Sequence, residues 1–221
     1  VIKNAEPKVS KNSAGYALWK VWDRNTFDLT QLFTGSEGTL GIFTEIEFAL
    51  IKPKEHRKLV VVFLKDFSKL TEVVANILSH KPETFETYDD HVIQFTMRYL
   101  PEFVKAMKTG LIKLGLSFIP EALMVLREGG MPKLVLLAEF TGDTEEEALK
   151  KANDAFADLK QYKLQMEIMQ TSAQAEKFWK MRHDSFNIMR KHSGKNKTAP
   201  FTDDIIVDPK KLPEFLPKLE E

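Results

Sequence analysis

Between residues 59 and 170, the pattern of apolar residues alternates between strand and helix in the order β-α-β-β-α-β. The first strand is a continuous apolar run at 59–64, as expected of a strand buried on both faces. Apolar residues then recur at helical spacing over 70–77, after Ser68, which can cap that helix. This order predicts an α+β fold: an antiparallel sheet covered by helices on one side, in the ferredoxin-like split βαβ arrangement.

The remaining elements follow from the same kinds of signal. Thr144 precedes three glutamates, and a hydroxyl cap followed by an acidic first turn is typical of a helix start. The stretch at 128–132, EGGMP, predicts a hairpin. The other predicted strands lie at 85–88, 122–127, 133–140, 164–169 and 204–207, and the other helices at 90–116 with a break at Pro101, 144–159 and 172–191.

Charge and cysteine content exclude several classes of function. The chain has 32 basic and 32 acidic residues among 221, so no net charge attracts nucleic acid or anionic lipid. It has no cysteine, which excludes disulfides, thiolate metal sites and cysteine nucleophiles. No apolar run reaches the roughly 20 residues that span a bilayer. We expect no nucleic-acid partner, no transmembrane segment and a cytoplasmic location, with peripheral association at the inner membrane face left open.

A charged, proline-containing stretch at 52–58 has no apolar face, which is typical of a linker between domains. We place the boundary after residue 55, which gives domains at 1–55 and 56–221. Residues 42–50 alternate apolar and polar side chains with period two, so they predict a strand at the end of the first domain. The chain begins with Val1 rather than methionine, and we expect it to be a fragment of a longer protein.

Residues 34–45, TGSEGTLGIFTE, combine three glycines with hydroxyl side chains and lead into that predicted strand. Glycine lets a backbone approach a ligand closely, and free N–H groups in such a turn can bind phosphate or ring carbonyl oxygens. The spacing is neither the dinucleotide G-x-G-x-x-G pattern nor the P-loop pattern. From the spacing alone, a tight turn is favoured over a ligand-binding loop.

A second block, KNSAGY at residues 11–16, supplies a cation, polar side chains and a glycine. It suits a loop beside a pyrophosphate or a flavin-sized ring system. It suits equally well a solvent-facing loop in which Tyr16 packs on the domain. The residues alone leave both interpretations open.

In their order and spacing, the blocks 11–16, 27–33 and 34–45 resemble the end of the flavin-binding domain of the FAD-linked oxidase/dehydrogenase family. This family has the vanillyl-alcohol-oxidase-like flavin fold and includes D-lactate dehydrogenases and glycolate oxidase flavin subunits. The resemblance implies that residues 1–55 close an FAD-binding domain and that residues 56–221 form a substrate-covering cap domain, incomplete at its C-terminus. It also implies that the fragment lacks both ends of the family protein and that the cofactor is FAD.

By this resemblance, the glycine loop and the 11–16 block line the cofactor. Glu37 is expected to accept backbone N–H groups that shape the turn, because a carboxylate is unfavourable beside a phosphate. The N–H groups of Gly38, Gly41 and Ile42 would face the cofactor. The complete predicted set is Lys11, Asn12, Gly15, Gly35, Ser36, Glu37, Gly38, Thr39, Gly41 and Ile42.

Trp179 and Arg182 lie three residues apart, on one face of a predicted helix. The guanidinium is a planar fork that can bind a carboxylate through two hydrogen bonds. From the sequence alone, an ion pair of Arg182 with Asp184 or Glu176 on a solvated helix face is favoured. The resembling family has a W-x-x-R element at this point of the cap, which implies that Arg182 contacts the substrate carboxylate.

The resemblance implies dehydrogenation of a small 2-hydroxy acid, such as D-lactate, D-2-hydroxyglutarate or glycolate, with hydride transfer to FAD. Electrons would then pass to a quinone, a cytochrome, an electron-transfer flavoprotein or an iron–sulfur protein. The alternative from another class is a non-catalytic ferredoxin-like α+β module that binds protein or nucleic acid. The most sheet-like runs, 59–64 and 134–138, lack the aromatic and basic pattern of such an RNA-binding sheet.

Metal binding and paired-carboxylate catalysis are not predicted. The five histidines show no ligand spacing, so we assign none of them to a metal. Asp203 and Asp204 are adjacent, and in a strand their side chains would point to opposite faces.

Overall fold

The computed structural model describes residues 2–9, 12, 14–106, 130–192 and 206–220. The chain divides into two compact units, one of Val1–Lys52 with Ala199–Glu221 and the other of Pro53–Thr198. The sequence analysis placed the boundary after residue 55 and kept 199–221 in the second domain.

The second unit contains a four-stranded sheet with the strand order β2-β3-β1-β4. Every neighbouring pair is antiparallel, and Leu137 lies opposite both Val61 and Glu86. This is the predicted ferredoxin-like order, with β1 and β3 in the centre. The strands are β1 (His56–Leu64), β2 (Thr84–Asp89), β3 (Leu134–Gly142) and β4 (Gln165–Met169).

The helices of the second unit also follow the predicted pattern. The helical segment that begins at Asp90 is interrupted at Tyr99, just before Pro101, as the proline indicated. The predicted helix beyond 106 and the predicted strand at 122–127 lie outside the described residues. The helices are α3 (Leu70–Ser79), α4 (Asp90–Arg98), α5 (Leu100–Ala106), α6 (Glu145–Leu159) and α7 (Ser172–His192).

Helices cover both faces of the sheet, so the expectation of one-sided cover was wrong. Leu59, Val61 and Phe63 of β1 share a buried cluster with Phe178 and Met181 of α7. The intervening side chains of β1 point the opposite way, towards α6. A central strand that is apolar at consecutive positions needs cover on both sides, because either face left open would expose it to water.

The predicted linker overlaps the first central strand. Residues 56–58 belong to β1, and Lys58 is buried although it is charged. Its Nζ atom lies 2.8 Å from Glu145 Oε1 and donates to the Gln170 carbonyl at 3.0 Å. A partner far along the chain therefore allows a lysine to occupy a strand position that the sequence pattern assigned to a linker.

One predicted helix cap is confirmed and one is wrong. The Thr144 hydroxyl accepts a hydrogen bond from Glu147 N at 3.2 Å, as predicted for α6. Ser68 does not cap α3, whose N-cap is Lys69 without a side-chain hydrogen bond. The backbone N–H and the hydroxyl of Ser68 instead donate to Asp66, in a local turn that competes with capping.

The first unit contains short helices and a long irregular segment. The predicted strand at 42–50 is wrong, because the described residues 41–54 have no regular secondary structure. The side chains of Ile42, Phe48 and Leu50 are exposed. Likewise, Ile206 and Val207 form no strand, while 204–205 lie outside the described residues. The helices are α1 (Leu18–Val21), α2 (Thr30–Phe33) and α8 (Leu212–Glu220).

Replacement of Thr144 by alanine tests the cap of α6. The variant should lose about 1 kcal/mol of unfolding free energy, because the Glu147 N–H loses its acceptor. Urea unfolding measures the loss, and Thr144→Ser, which keeps a hydroxyl at the cap, is the matched control and should lose little. Equal losses in the two variants would contradict the assignment.

The Lys58–Glu145 pair predicts a pH-dependent stability. The hydrogen bond from Lys58, and then its charge, lower the pKa of Glu145 below its ordinary value of 4.5. The contribution of a carboxyl with a lowered pKa is present above pH 4.5 and is lost as the pH falls through the folded value. Urea unfolding between about pH 3 and about pH 7 should therefore show a shallower acid loss in Glu145→Gln. Glu146→Gln, in the same helical turn, should keep the wild-type slope, and identical slopes in all three proteins would refute the pairing.

Candidate functional site

The glycine loop of the first unit is formed by two successive turns after α2. Ser36 N donates to the Phe33 carbonyl at 3.1 Å, and Thr39 N donates to the Ser36 carbonyl at 2.9 Å. The φ angles of Gly35, Glu37 and Gly38 are +80°, +50° and +77°. Glycine is favoured at the first and last of these positions because a Cβ atom disfavours the left-handed region.

The 11–16 block meets the glycine loop through Tyr16. Its hydroxyl lies 2.6 Å from Thr39 Oγ1, which itself donates to the Ser36 carbonyl at 2.6 Å. The Thr39 proton is thus committed, so Tyr16 donates and Thr39 accepts. Asn12 Oδ1 accepts from Ala14 N at 3.0 Å in a local turn, and Lys11 lies outside the described residues. Two blocks that the sequence analysis treated separately therefore lie together.

The donors of this loop suit an acceptor-rich ligand. Within the described part of the chain, the N–H groups of Gly35, Glu37, Gly38, Gly41 and Ile42 have no hydrogen-bond acceptor. The Ser36 hydroxyl is also buried without a partner there. Phosphate or ring carbonyl oxygens of FAD would accept from such groups, so the donor set fits the cofactor that the resemblance implies.

The expected role of Glu37 is wrong. Its side chain is exposed and accepts no hydrogen bond from the backbone N–H groups of the described residues. Glu37 contributes to the loop through its backbone instead, which adopts a left-handed conformation between two glycines. The turns are stabilised by backbone carbonyls and by the Thr39 hydroxyl, so a carboxylate is not needed to shape them.

Arg182 reaches across from α7 to the sheet of the second unit. Its Nε atom lies 2.9 Å from Glu86 Oε2 in β2, and both atoms are buried. Among the described residues, Arg182 forms no ion pair with Asp184 or Glu176, the partners that the sequence favoured, and Glu176 pairs with Lys180 at 3.3 Å instead. The guanidinium is therefore held against the sheet rather than on a solvated helix face.

Trp179 lies on the same side of α7 as Arg182, as their spacing predicted. Its ring packs against the apolar cluster on the sheet, and it stacks on His183 with ring centres 5.8 Å apart. Met181, next to Arg182, is buried in the same cluster. These contacts fix the part of α7 that carries the arginine.

Further charged and polar groups that were not predicted lie on β1, on β3 and just before β2. Arg57 Nη1 lies 3.1 Å from Glu139 Oε2, and the Thr141 hydroxyl lies 3.3 Å from Glu83 Oε2. Glu139 is buried in a strand that is otherwise almost wholly apolar. A single carboxylate within an apolar strand sequence could have indicated this ion pair, because a buried charge requires a partner.

Asp89, Asp90 and His91 are close enough together to ligate a metal ion. Asp89 Oδ1, however, accepts from Val92 N at 3.0 Å as the cap of α4, and Asp90 lies 2.9 Å from Lys133 Nζ. The positions of these carboxylates are thus explained by contacts within the protein. Among the described residues, no helix combines the length and apolar character needed to cross a membrane.

Comparison with known proteins assigns most of the chain to one family. The family model for FAD linked oxidases, C-terminal domain, matches residues 53–221 and begins where the second compact unit begins. A D-2-hydroxyglutarate dehydrogenase from Escherichia coli (strain K12) is 25% identical over 219 residues, which cover 95% of this chain and 20% of that protein. A D-2-hydroxyglutarate dehydrogenase from Pseudomonas putida is 23% identical over 223 residues, which cover 98% of this chain and 20% of that protein.

The glycolate oxidase subunit GlcD of Bacillus subtilis (strain 168) is 28% identical over 123 residues, which cover 56% of this chain and 22% of that protein. The chain thus spans about one fifth of the length of these curated relatives. The family match covers most of the chain, and the α+β sheet agrees with it. This protein therefore belongs to the FAD-linked oxidases through their C-terminal domain, a family of oxidoreductases whose cofactor is FAD.

Proposed function

We propose that this chain is part of a flavin-dependent oxidoreductase that dehydrogenates a 2-hydroxy acid. The family match and the names of the relatives, which are D-2-hydroxyglutarate dehydrogenases and a glycolate oxidase subunit, support this class of substrate. FAD, when bound, supplies a two-electron acceptor for the hydride from the hydroxyl-bearing carbon. The chain's own residues bind and orient the cofactor and the substrate.

The geometry of Arg182 is the observation that carries the proposal. Glu86 contacts the Nε atom, on one side of the guanidinium, while the side chain remains 43% exposed. The two terminal nitrogens have no ion-pair partner among the described residues, and their spacing matches the two oxygens of a carboxylate. Arg182 would therefore bind the substrate carboxylate end-on and set the distance of the neighbouring hydroxyl carbon from the cofactor.

The first unit would contribute to cofactor binding. We assign residues 1–55 to the closing part of an FAD-binding domain and residues 56–221 to the cap domain. The N–H groups of the glycine loop that have no acceptor among the described residues, together with the buried Ser36 hydroxyl, support this assignment. The electrons would then pass to a quinone, a cytochrome, an electron-transfer flavoprotein or an iron–sulfur protein. This transfer would take place in the cytoplasm or at the inner face of the membrane.

Arg182→Lys in the full-length enzyme tests the role of the arginine. Lysine keeps the charge but loses the planar two-point contact, so kcat/KM for the 2-hydroxy acid should fall by roughly one to two orders of magnitude, about 1.4 to 2.7 kcal/mol. Flavin content should not change. Arg190→Lys, on the same helix, is the matched control and should retain wild-type kinetics. An unaltered kcat/KM in Arg182→Lys would show that the arginine has only a structural role.

Gly41→Val in the full-length enzyme tests the cofactor loop. The φ angle of Gly41 is not positive, and of the described residues only the Phe33 ring, at 3.9 Å, lies within 4 Å of an added Cβ, so the loop itself tolerates a side chain there. Loss of flavin would then report close approach of the cofactor to the backbone. Gly38→Val should lose flavin as well, but its φ of +77° adds backbone strain, which makes Gly41 the cleaner position.

The ratio of flavin absorbance to protein absorbance gives the flavin content of each variant. Leu40→Val is the control, because that exposed neighbour already carries a side chain. A full flavin complement in Gly41→Val would show that the loop is only a turn.

A further inference from the structure

We propose that Glu86 is a positioning residue, which fixes the orientation in which Arg182 presents its guanidinium to the substrate carboxylate. This inference rests on the proposed function, because it concerns the same arginine. Glu86 itself needs no contact with the substrate. Its carboxylate lies 2.9 Å from the Nε atom, while the two terminal nitrogens have no ion-pair partner among the described residues.

The fold brings the two residues together from separate elements, each of which is held in place. Glu86 lies in β2, paired in register with Leu137 of the central strand β3. On α7, the residues next to Arg182 and one turn before it, Met181 and Phe178, are buried against the same face of the sheet. The separation of the two side chains is therefore determined by the packing of α7 on the sheet.

Contact with Glu86 limits how a second carboxylate can bind. A guanidinium can pair with a carboxylate either through its two terminal nitrogens or side-on, through Nε and one terminal nitrogen. Glu86 Oε2 lies 2.9 Å from Nε, and its negative charge repels a second carboxylate at that atom, which disfavours the side-on mode. A substrate carboxylate would therefore bind in the end-on mode. This mode fixes the direction in which the hydroxyl-bearing carbon extends from the guanidinium.

Charge, rather than a directed hydrogen bond, dominates this contact. Although Nε and Oε2 are 2.9 Å apart, neither atom has a hydrogen-bond partner with suitable geometry in the part of the chain that the structure describes. Removal of the charge while the side-chain shape is kept should therefore abolish the effect. Among the described residues, the nearby carboxylate of Glu139 cannot replace Glu86 in this role, because it pairs with Arg57 at 3.1 Å.

Two substitutions in the full-length enzyme separate charge from shape. Glu86→Gln keeps the shape and loses the charge, so its kcat should fall about tenfold while KM changes less, because misorientation slows the chemical step more than it weakens binding. Glu86→Asp keeps the charge on a shorter side chain and should retain more activity than the glutamine variant. A purely structural role predicts the reverse order, with glutamine close to wild type.

The double variant Glu86→Gln/Arg182→Lys tests whether Glu86 acts through the arginine. Once the guanidinium is absent, loss of the Glu86 charge should lower kcat/KM little further, because the effects of coupled residues do not add. Glu176→Gln removes the partner of Lys180 on the same helix, and as the matched control it should leave kinetics and flavin content unchanged.

The outcomes distinguish this inference from the function on which it rests. A loss in Arg182→Lys together with wild-type kinetics in Glu86→Gln overturns the role of Glu86 alone. An equal further loss from Glu86→Gln in the wild-type and Arg182→Lys backgrounds also overturns it. Wild-type kinetics in Arg182→Lys overturn the substrate role of the arginine and the positioning role of Glu86 together. Flavin content, measured on every variant, shows whether a loss of activity merely reflects misfolding.

Discussion

Pairing of two apolar central strands is the constraint on which the second unit depends. β1 and β3 are buried along most of their length, so the sheet needs helices on both faces. On one face this requirement places α7 across the sheet, with Phe178 and Met181 in the core. The same packing brings Arg182 of α7 beside Glu86 of β2. The candidate substrate contact is thus a consequence of how the hydrophobic core is closed.

Charged residues mark the limits of that core. Lys58 and Glu139 are buried on the two central strands, and each has an oppositely charged partner within reach. Their burial costs free energy unless those partners stay in place. The Lys58–Glu145 pair therefore holds α6 against β1. The Arg57–Glu139 pair links β1 to β3 on the opposite face of the sheet. The proposed role of Arg182 depends on the same principle, because the pair with Glu86 would orient the two terminal nitrogens, which have no ion-pair partner among the described residues.

The sequence was enough to predict those features that depend on interactions between residues close together in the chain. The helix around 172–191, the cap at Thr144 and the ferredoxin-like order follow from periodicity and from residues a few positions apart. Long-range contacts explain the failures. The strand predicted at 42–50 has the right alternation, but no strand of the described residues lies beside it. Glu86 was missed because its partner lies on a helix that is distant in the sequence. Likewise, Lys58 was assigned to a linker because its partner, Glu145, is distant in the sequence.

Anaerobic reduction of the flavin is the most direct test of the account. The full-length enzyme is mixed with D-lactate, D-2-hydroxyglutarate or glycolate in the absence of oxygen, and the oxidised-flavin absorbance is followed. The account predicts that at least one of these 2-hydroxy acids bleaches that absorbance, because the hydride from its hydroxyl carbon reduces the cofactor. A flavin that stays oxidised with all three acids, in a protein that carries its full flavin complement, would contradict the proposed function.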